Sequence, residues 1–381
     1  MKKHLIRISK AFFVVIVVYL VILVGGFFGV KYGLTNTAGV VDDESSYFQK
    51  ADEKISELES LEGAADEEEK DISEVNQLKN INLCKIKAVG YFFPANAERI
   101  VKDYERTESD PLAAKMILAV NLRLLDNADF QEKFSKCDTD KNRPAYSLED
   151  LKNEFSSKDS KNVFPWMDRP EWQAIRAATI KDKEAIEKAG QTAGVEPRAI
   201  VASMIVEQLR LFNSQRELFK KFFEPLKILG NANKISLGVM GMKEATTIQV
   251  ENNLKDPSSP YYLGADFENI LDYPAGSNVG QARYARLTDE KDNHYYSYLY
   301  GALYLKEMME QWKRAGYDVQ YRMEVLGTLY NVGFAQSKPN PNPKVGGSAI
   351  NVGDGKYSFG SLAYEFYYSG ELSDEFPYVT E

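Results

Sequence analysis

Residues 197–212 read PRAIVASMIVEQLRLF, and the spacing of their apolar side chains points to a mainly α-helical fold. Pro197 suits a first helical turn, where its missing N–H is not needed. Placed at helical spacing, Ile200, Met204 and Leu211 form one apolar line, and Glu207 falls on that line between them. A carboxylate on an apolar face is costly unless it is paired or protonated. Burial favours the neutral form of a carboxyl, which suits a group that must deliver a proton. The alternative is a structural glutamate satisfied by Arg210 or another cation, and periodicity alone does not separate the two.

Outward from this helix, EWQAIRAATIKDKEAIEKAG (171–190) reads as one helix ending at Gly190 or Gly194. Downstream, SLGVMGMKEATT (236–247) reads as a tight turn before a helix beginning near Lys243. HYYSYLYGALYLKEMMEQW (294–312) places Tyr296, Tyr300, Leu303 and Met308 at helical spacings, mostly as core. KPNPNPKVGGSAINVGDGKYSFG (338–360) is a Pro/Gly/Asn-rich loop with short extended pieces. All three tryptophans, Trp166, Trp172 and Trp312, lie in this part, so residues 162–381 are expected to form the main domain.

The first half is organised differently. Ala11 to Val30, AFFVVIVVYLVILVGGFFGV, holds no charged residue and is about the length of the roughly 20 residues that span a bilayer. Lys2, Lys3, Arg7 and Lys10 precede it, so the N-terminus, 1–10, is expected in the cytoplasm and the rest outside. A cleaved signal peptide is the alternative, but this apolar run is longer than such a core, and Asn36-Thr37-Ala38 is a poor cleavage site. Residues 31–80 are rich in Glu, Asp, Lys, Ser and Ala and read as an acidic helical stalk. Residues 81–161 show helical periodicity broken at Pro94 and at Asp110-Pro111, and read as a small helical domain.

Charge and composition exclude several classes. A net charge of −9 argues against general affinity for nucleic acid or an anionic lipid surface. His294 is the lone histidine beyond the apolar run, which excludes a histidine-based zinc site. Asp138, Asp140, Asn142 and Glu149 fall on positions of a calcium loop, but Arg143 occupies the glycine position, so a polar loop leading to a Ser147-capped helix is the expectation, and no metal or cofactor is expected. Cys84 and Cys137 both lie on the exported side, where thiols oxidise, so a disulfide between them is expected, two buried thiols being the alternative.

Three stretches in order, Val206-Glu207-Gln208, then Ser236 to Thr247, then Thr328-Leu-Tyr-Asn-Val-Gly333, resemble lytic transglycosylases and goose-type lysozymes. The resemblance covers roughly Val195 to Phe334. It implies a lysozyme-like fold (α-rich, α+β), peptidoglycan glycan strands as substrate, and cleavage of the MurNAc–GlcNAc β-1,4 bond. Glu207 takes the position of the catalytic glutamate. Gln208, Ser236, Gly238, Met240, Tyr330 and Asn331 take substrate-binding positions, with Tyr330 expected to hold the Glu207 carboxyl and Met240 to offer the sugar a soft apolar surface. Tyr295 or Tyr296 is a further candidate for stacking on a sugar ring. The sequence departs from the pattern at Gln208, Gly241 and Glu244, where the family has serine, glutamine and proline. Without the resemblance, Gly238 to Met242 would be an ordinary turn, and Tyr330 and Asn331 ordinary helix packing.

A single glutamate suffices for the transglycosylase reaction that the resemblance implies. Lysozyme-type hydrolysis would need a second carboxylate, with Asp256, Asp266 and Asp272 as candidates. A non-catalytic wall-binding or scaffold module is the expectation from another class. Compatible with the wall-enzyme reading is recruitment of an envelope-complex partner by residues 81–161, the enzyme opening space for it.

Overall fold

The computed structural model describes residues 17, 21, 47–50, 72–140, 142–155, 161–212, 236–288, 294–352 and 355–379. Apart from Val17 and Val21, the expected membrane anchor lies outside the described residues, as does most of the expected stalk. Among the described residues no helix is long and apolar enough to cross a membrane.

The fold is mainly helical. The first group of helices comprises α1 (Ile72–Phe92), α2 (Pro94–Thr107), α3 (Asp110–Arg123), α4 (Ala128–Thr139) and α5 (Leu148–Phe155). Pro94 opens α2, and Ser109 caps α3 by accepting the N–H of Leu112, so both expected breaks mark helix starts. A disulfide joins Cys84 on α1 to Cys137 on α4, with Cα atoms 5.7 Å apart. Asp138, from the calcium-like spacing, pairs with Lys85 at 2.9 Å, while Ser147 accepts the N–H of Asp150 at 3.1 Å. Asp138 and Ser147 therefore serve an ion pair and a helix cap.

The second group contains α6 (Pro170–Lys181), α7 (Lys183–Ala193) and α8 (Pro197–Phe212), then a two-stranded hairpin of β1 (Ser236–Leu237) and β2 (Met242–Lys243). After it come α9 (Glu244–Lys255), α10 (Val279–Thr288), α11 (Tyr295–Arg314) and α12 (Met323–Val332). A second antiparallel hairpin, β3 (Ala349–Val352) and β4 (Gly355–Ser358), leads into α13 (Phe359–Tyr368). The single helix expected from Glu171 to Gly190 is broken at Asp182. That carboxylate leaves the helix to accept from the ring of His294 at 2.7 Å and the hydroxyl of Tyr298 at 2.9 Å. Gly194 then ends α7 in the left-handed conformation, φ 65°.

One apolar core runs through both groups of helices, from Phe48 to Tyr378. All three tryptophans are buried in it. Helix α13 is the shared wall. Its Tyr364 ring packs edge-on to Phe48 at 5.0 Å and donates to the Lys115 carbonyl on α3, and its buried Glu365 accepts from Arg123 and from Trp166 Nε1. Phe48 thus lies in the core although the composition of 31–80 reads as a solvated stalk, because a single Tyr47-Phe48 pair suffices to dock a short helical piece. The α12–α13 crossing is close because Gly327 and Gly360 remove side chains there, where added Cβ atoms would meet Ala363 and Thr328. This crossing sets Tyr330 against Phe359, rings 6.2 Å apart and near parallel.

Candidate active site

Glu207 sits in the next-to-last turn of α8 and is 2% exposed. The inward direction predicted by its apolar line is observed: Ile200 and Met204, on the same face, are buried too. Arg210, three residues on, places Nη2 on Glu207 Oε1 as an ion pair, and the Arg210 side chain is 15% exposed. The cation named as the structural alternative is therefore present beside the carboxylate.

Above the carboxylate lies the loop of the first hairpin. Ser236 faces Lys243 in register and Leu237 faces Met242, leaving Gly238 to Gly241 as the turn, closed by Gly241 N–H donating to the Gly238 carbonyl at 3.1 Å. Gly238 and Gly241 have φ values of 66° and 60°, where only glycine is at ease. A Cβ at Gly241 would also lie well inside van der Waals contact of Glu207 Cγ, Cδ and Oε1. The departure from glutamine at 241 thus has a physical reason: the Glu207 carboxyl rests on the bare Cα that a side chain would cover.

Three helices hold this loop. From α8, Gln208 Nε2 donates to the Val239 carbonyl at 2.6 Å. From α11, Ser297 Oγ accepts the Met240 N–H at 3.3 Å. From α12, the Tyr330 hydroxyl donates to the Met240 carbonyl at 2.7 Å. Burial, then the charge of Glu207 and the neighbouring Tyr304, pushes the Tyr330 hydroxyl far above its usual range, with Arg210 opposing, so it is a neutral donor.

Several expected site residues take other tasks. Tyr330 lies near Glu207 but donates its proton to the Met240 carbonyl of the loop, while Arg210 bonds Glu207 Oε1. Met240 is 0% exposed, its thioether lying where a Cβ of Gly301 would be, so it packs the core and offers no face to a sugar. The Gln208 amide is committed to Val239. Asn331 Oδ1 accepts from Ser348 N–H at 2.7 Å and Ser348 Oγ at 2.9 Å, tying α12 to the following loop. Ser236 lies in β1, beside Gly238. Tyr295 and Tyr296 are half-buried, each with a cation over its ring, Lys188 at 4.6 Å and Arg286 at 4.5 Å. The aspartates weighed for hydrolysis are exposed: Asp256 accepts from Ser258, and Asp272 pairs with Lys255.

Two further acid clusters were not anticipated. Glu251 on α9 accepts from Arg283 through both oxygens, Nε at 2.9 Å and Nη2 at 2.6 Å, and from the hydroxyls of Tyr273 and Tyr300 at 2.6 and 2.5 Å. Burial pushes this carboxyl up, but the bonds from Arg283 and the two tyrosines outweigh it and hold it below its usual range. Glu307 on α11 is 0% exposed. It takes one bond from Asn253 Nδ2 at 3.1 Å, and its Oε1 has no hydrogen-bond partner. Burial pushes it well above the usual carboxylate range, the Asn253 bond opposing. Glu307 lies four residues after Leu303 inside the aromatic stripe, so the signal that singled out Glu207, an acid on an apolar face, was present there too. Among the described residues no group of three or more His, Cys, Asp or Glu side chains could hold a metal ion. No family model, no curated protein and no solved structure matches this chain.

Proposed function

We propose that the chain is a membrane-anchored peptidoglycan lytic transglycosylase with a lysozyme-like main domain, in which Glu207 is the single acid and base. The observation that carries this reading is convergence. The three stretches that carry the resemblance are far apart in sequence, yet the Glu207 carboxyl rests on Gly241 while Gln208 and Tyr330 both bond the same glycine-flanked loop. In the proposed reaction Glu207 protonates the glycosidic oxygen as the bond to the MurNAc anomeric carbon breaks. The carboxylate so formed takes the proton of the MurNAc C6 hydroxyl, whose oxygen closes the 1,6-anhydro ring. The loop's role is to fix the carboxyl against backbone rather than against solvent, which preserves its orientation between the two steps.

Purified peptidoglycan digested with the protein should yield 1,6-anhydro-muropeptides by mass spectrometry, and Glu207→Gln should yield none. Reducing ends instead would assign a lysozyme-type muramidase. A second reading, a wall-binding module without turnover, is favoured by one observation, the closed pairing of Glu207 with Arg210. Sacculus binding that survives Glu207→Gln, with no product from either protein, would establish it.

A further inference from the structure

The Glu207–Arg210 pair is unusual in how little of the guanidinium it uses. Nη2 reaches Glu207 Oε1, while Nε, on the same edge of the planar fork, is buried with no hydrogen-bond partner. An arginine edge matches a carboxylate through two parallel N–H···O bonds, and a buried donor left unmade is costly. The pair also opposes the proposed chemistry, since a carboxylate held as the anionic half of an ion pair has no proton to give. The other loop-facing polar groups are already committed: the Gln208 amide to Val239, the Tyr330 hydroxyl to Met240, Ser297 Oγ to the Met240 N–H. Arg210 is thus the group beside Glu207 with recognition capacity to spare, and its side chain reaches the surface at 15% exposure.

Resting on the transglycosylase reading, we propose that Arg210 is a latch that reads a carboxylate on the glycan strand: paired with Glu207 it holds the site idle, and when a substrate carboxylate takes the place of Glu207 on the Nε–Nη2 edge, the freed Glu207 takes up a proton from solvent and acts as the acid. The chemistry that fits is the lactyl carboxylate of MurNAc, which is free where the stem peptide has been removed and is an amide where the peptide remains. A free carboxylate can take both Nε and Nη2; an amide cannot displace Glu207 in this way. Arg210 acts through Glu207 and is a positioning and specificity residue.

The test compares glycan strands stripped of stem peptides by an amidase with peptide-bearing strands, using the 381-residue chain in detergent. The wild-type protein should form anhydro products from stripped strands at least about tenfold faster, the effect of one charge-assisted hydrogen bond. Arg210→Met should abolish that preference and process peptide-bearing strands at least as fast as wild type does. If the methionine variant does not fold by circular dichroism, Arg210→Lys, which keeps the charge but loses the fork, should reduce the preference instead. Wild-type turnover without preference, an unchanged preference in the variant, or a folded Arg210→Met protein inactive on both strands would overturn the latch while leaving the transglycosylase reading in place. No product from wild type on either strand would overturn both.

Discussion

Replacing Gly241 by alanine separates two costs that the structure superimposes at one residue. The first is conformational: at φ 60° a side chain pays about 1–2 kcal/mol for the left-handed region. The second is contact, because the new methyl would occupy the space of the Glu207 carboxyl, which can yield only by leaving Arg210. Separating the partners of a buried ion pair costs up to about 3–5 kcal/mol, so Gly241→Ala should lose more than the conformational cost of about 1–2 kcal/mol and up to about 7 kcal/mol. Gly276 supplies the reference: its φ is 81° and nothing lies within 4 Å of where its Cβ would be. Gly276→Ala should therefore show the conformational cost alone. Urea unfolding of both variants, with and without Glu207→Ala, completes the cycle; removing the carboxyl should bring the cost of Gly241→Ala down to that of Gly276→Ala. Equal losses in the two single variants would refute the placement of Glu207 on this glycine.

Glu307 should make stability depend on pH. Its folded carboxyl is pushed well above the ordinary value of 4.5, so the folded state keeps a proton that the unfolded state releases; the associated stability is full below 4.5 and is lost as pH rises through the folded value. Within that window the slope is about 1.4 kcal/mol per pH unit, and Glu307→Gln should flatten it in unfolding curves; parallel declines would count against the assignment. The Cys84–Cys137 bridge closes a loop with a sequence separation of 53 residues. Loop entropy assigns such a closure about 4 kcal/mol, so a Cys84→Ser, Cys137→Ser double variant should melt lower, by an amount that reducing agent reproduces in wild type. Arg198, 0% exposed, donates to the carbonyls of Tyr367, Glu371 and Phe376 and to the Tyr378 hydroxyl. Arg198→Met should cost more than about 3 kcal/mol by stranding these acceptors, and limited proteolysis should then cut first within residues 369–379.

What could be read in advance was local. The inward direction of Glu207, the turn between Gly238 and Gly241, the cap at Ser147 and the helix breaks at Pro94 and Asp110-Pro111 follow from spacing and from residues that act within one turn of themselves. What escaped was pairwise and distant. Met240 reads as a soft surface until Gly301, on another helix, opens the notch that buries it. Tyr330 reads as a partner for Glu207, but the Met240 carbonyl of the distant hairpin takes its hydroxyl, and Arg210 takes Oε1 of the carboxyl. The break at Asp182 depends on His294 and Tyr298, more than a hundred residues away. In each case an element's own pattern was sound, and a contact supplied by a second element reassigned the side chain.

Helix α13 gives the chain a property that its composition hides. The change in composition at residue 161 reads as a seam between two separable pieces. Yet Arg123, on the near side of that seam, bonds Glu365, and Phe48 covers Tyr364. A polypeptide begun after the seam would carry a buried carboxylate stripped of its cation and an aromatic helix with one side open to water. A cut there would remove both contacts at once, so the two groups of helices hold their shared core only as one piece.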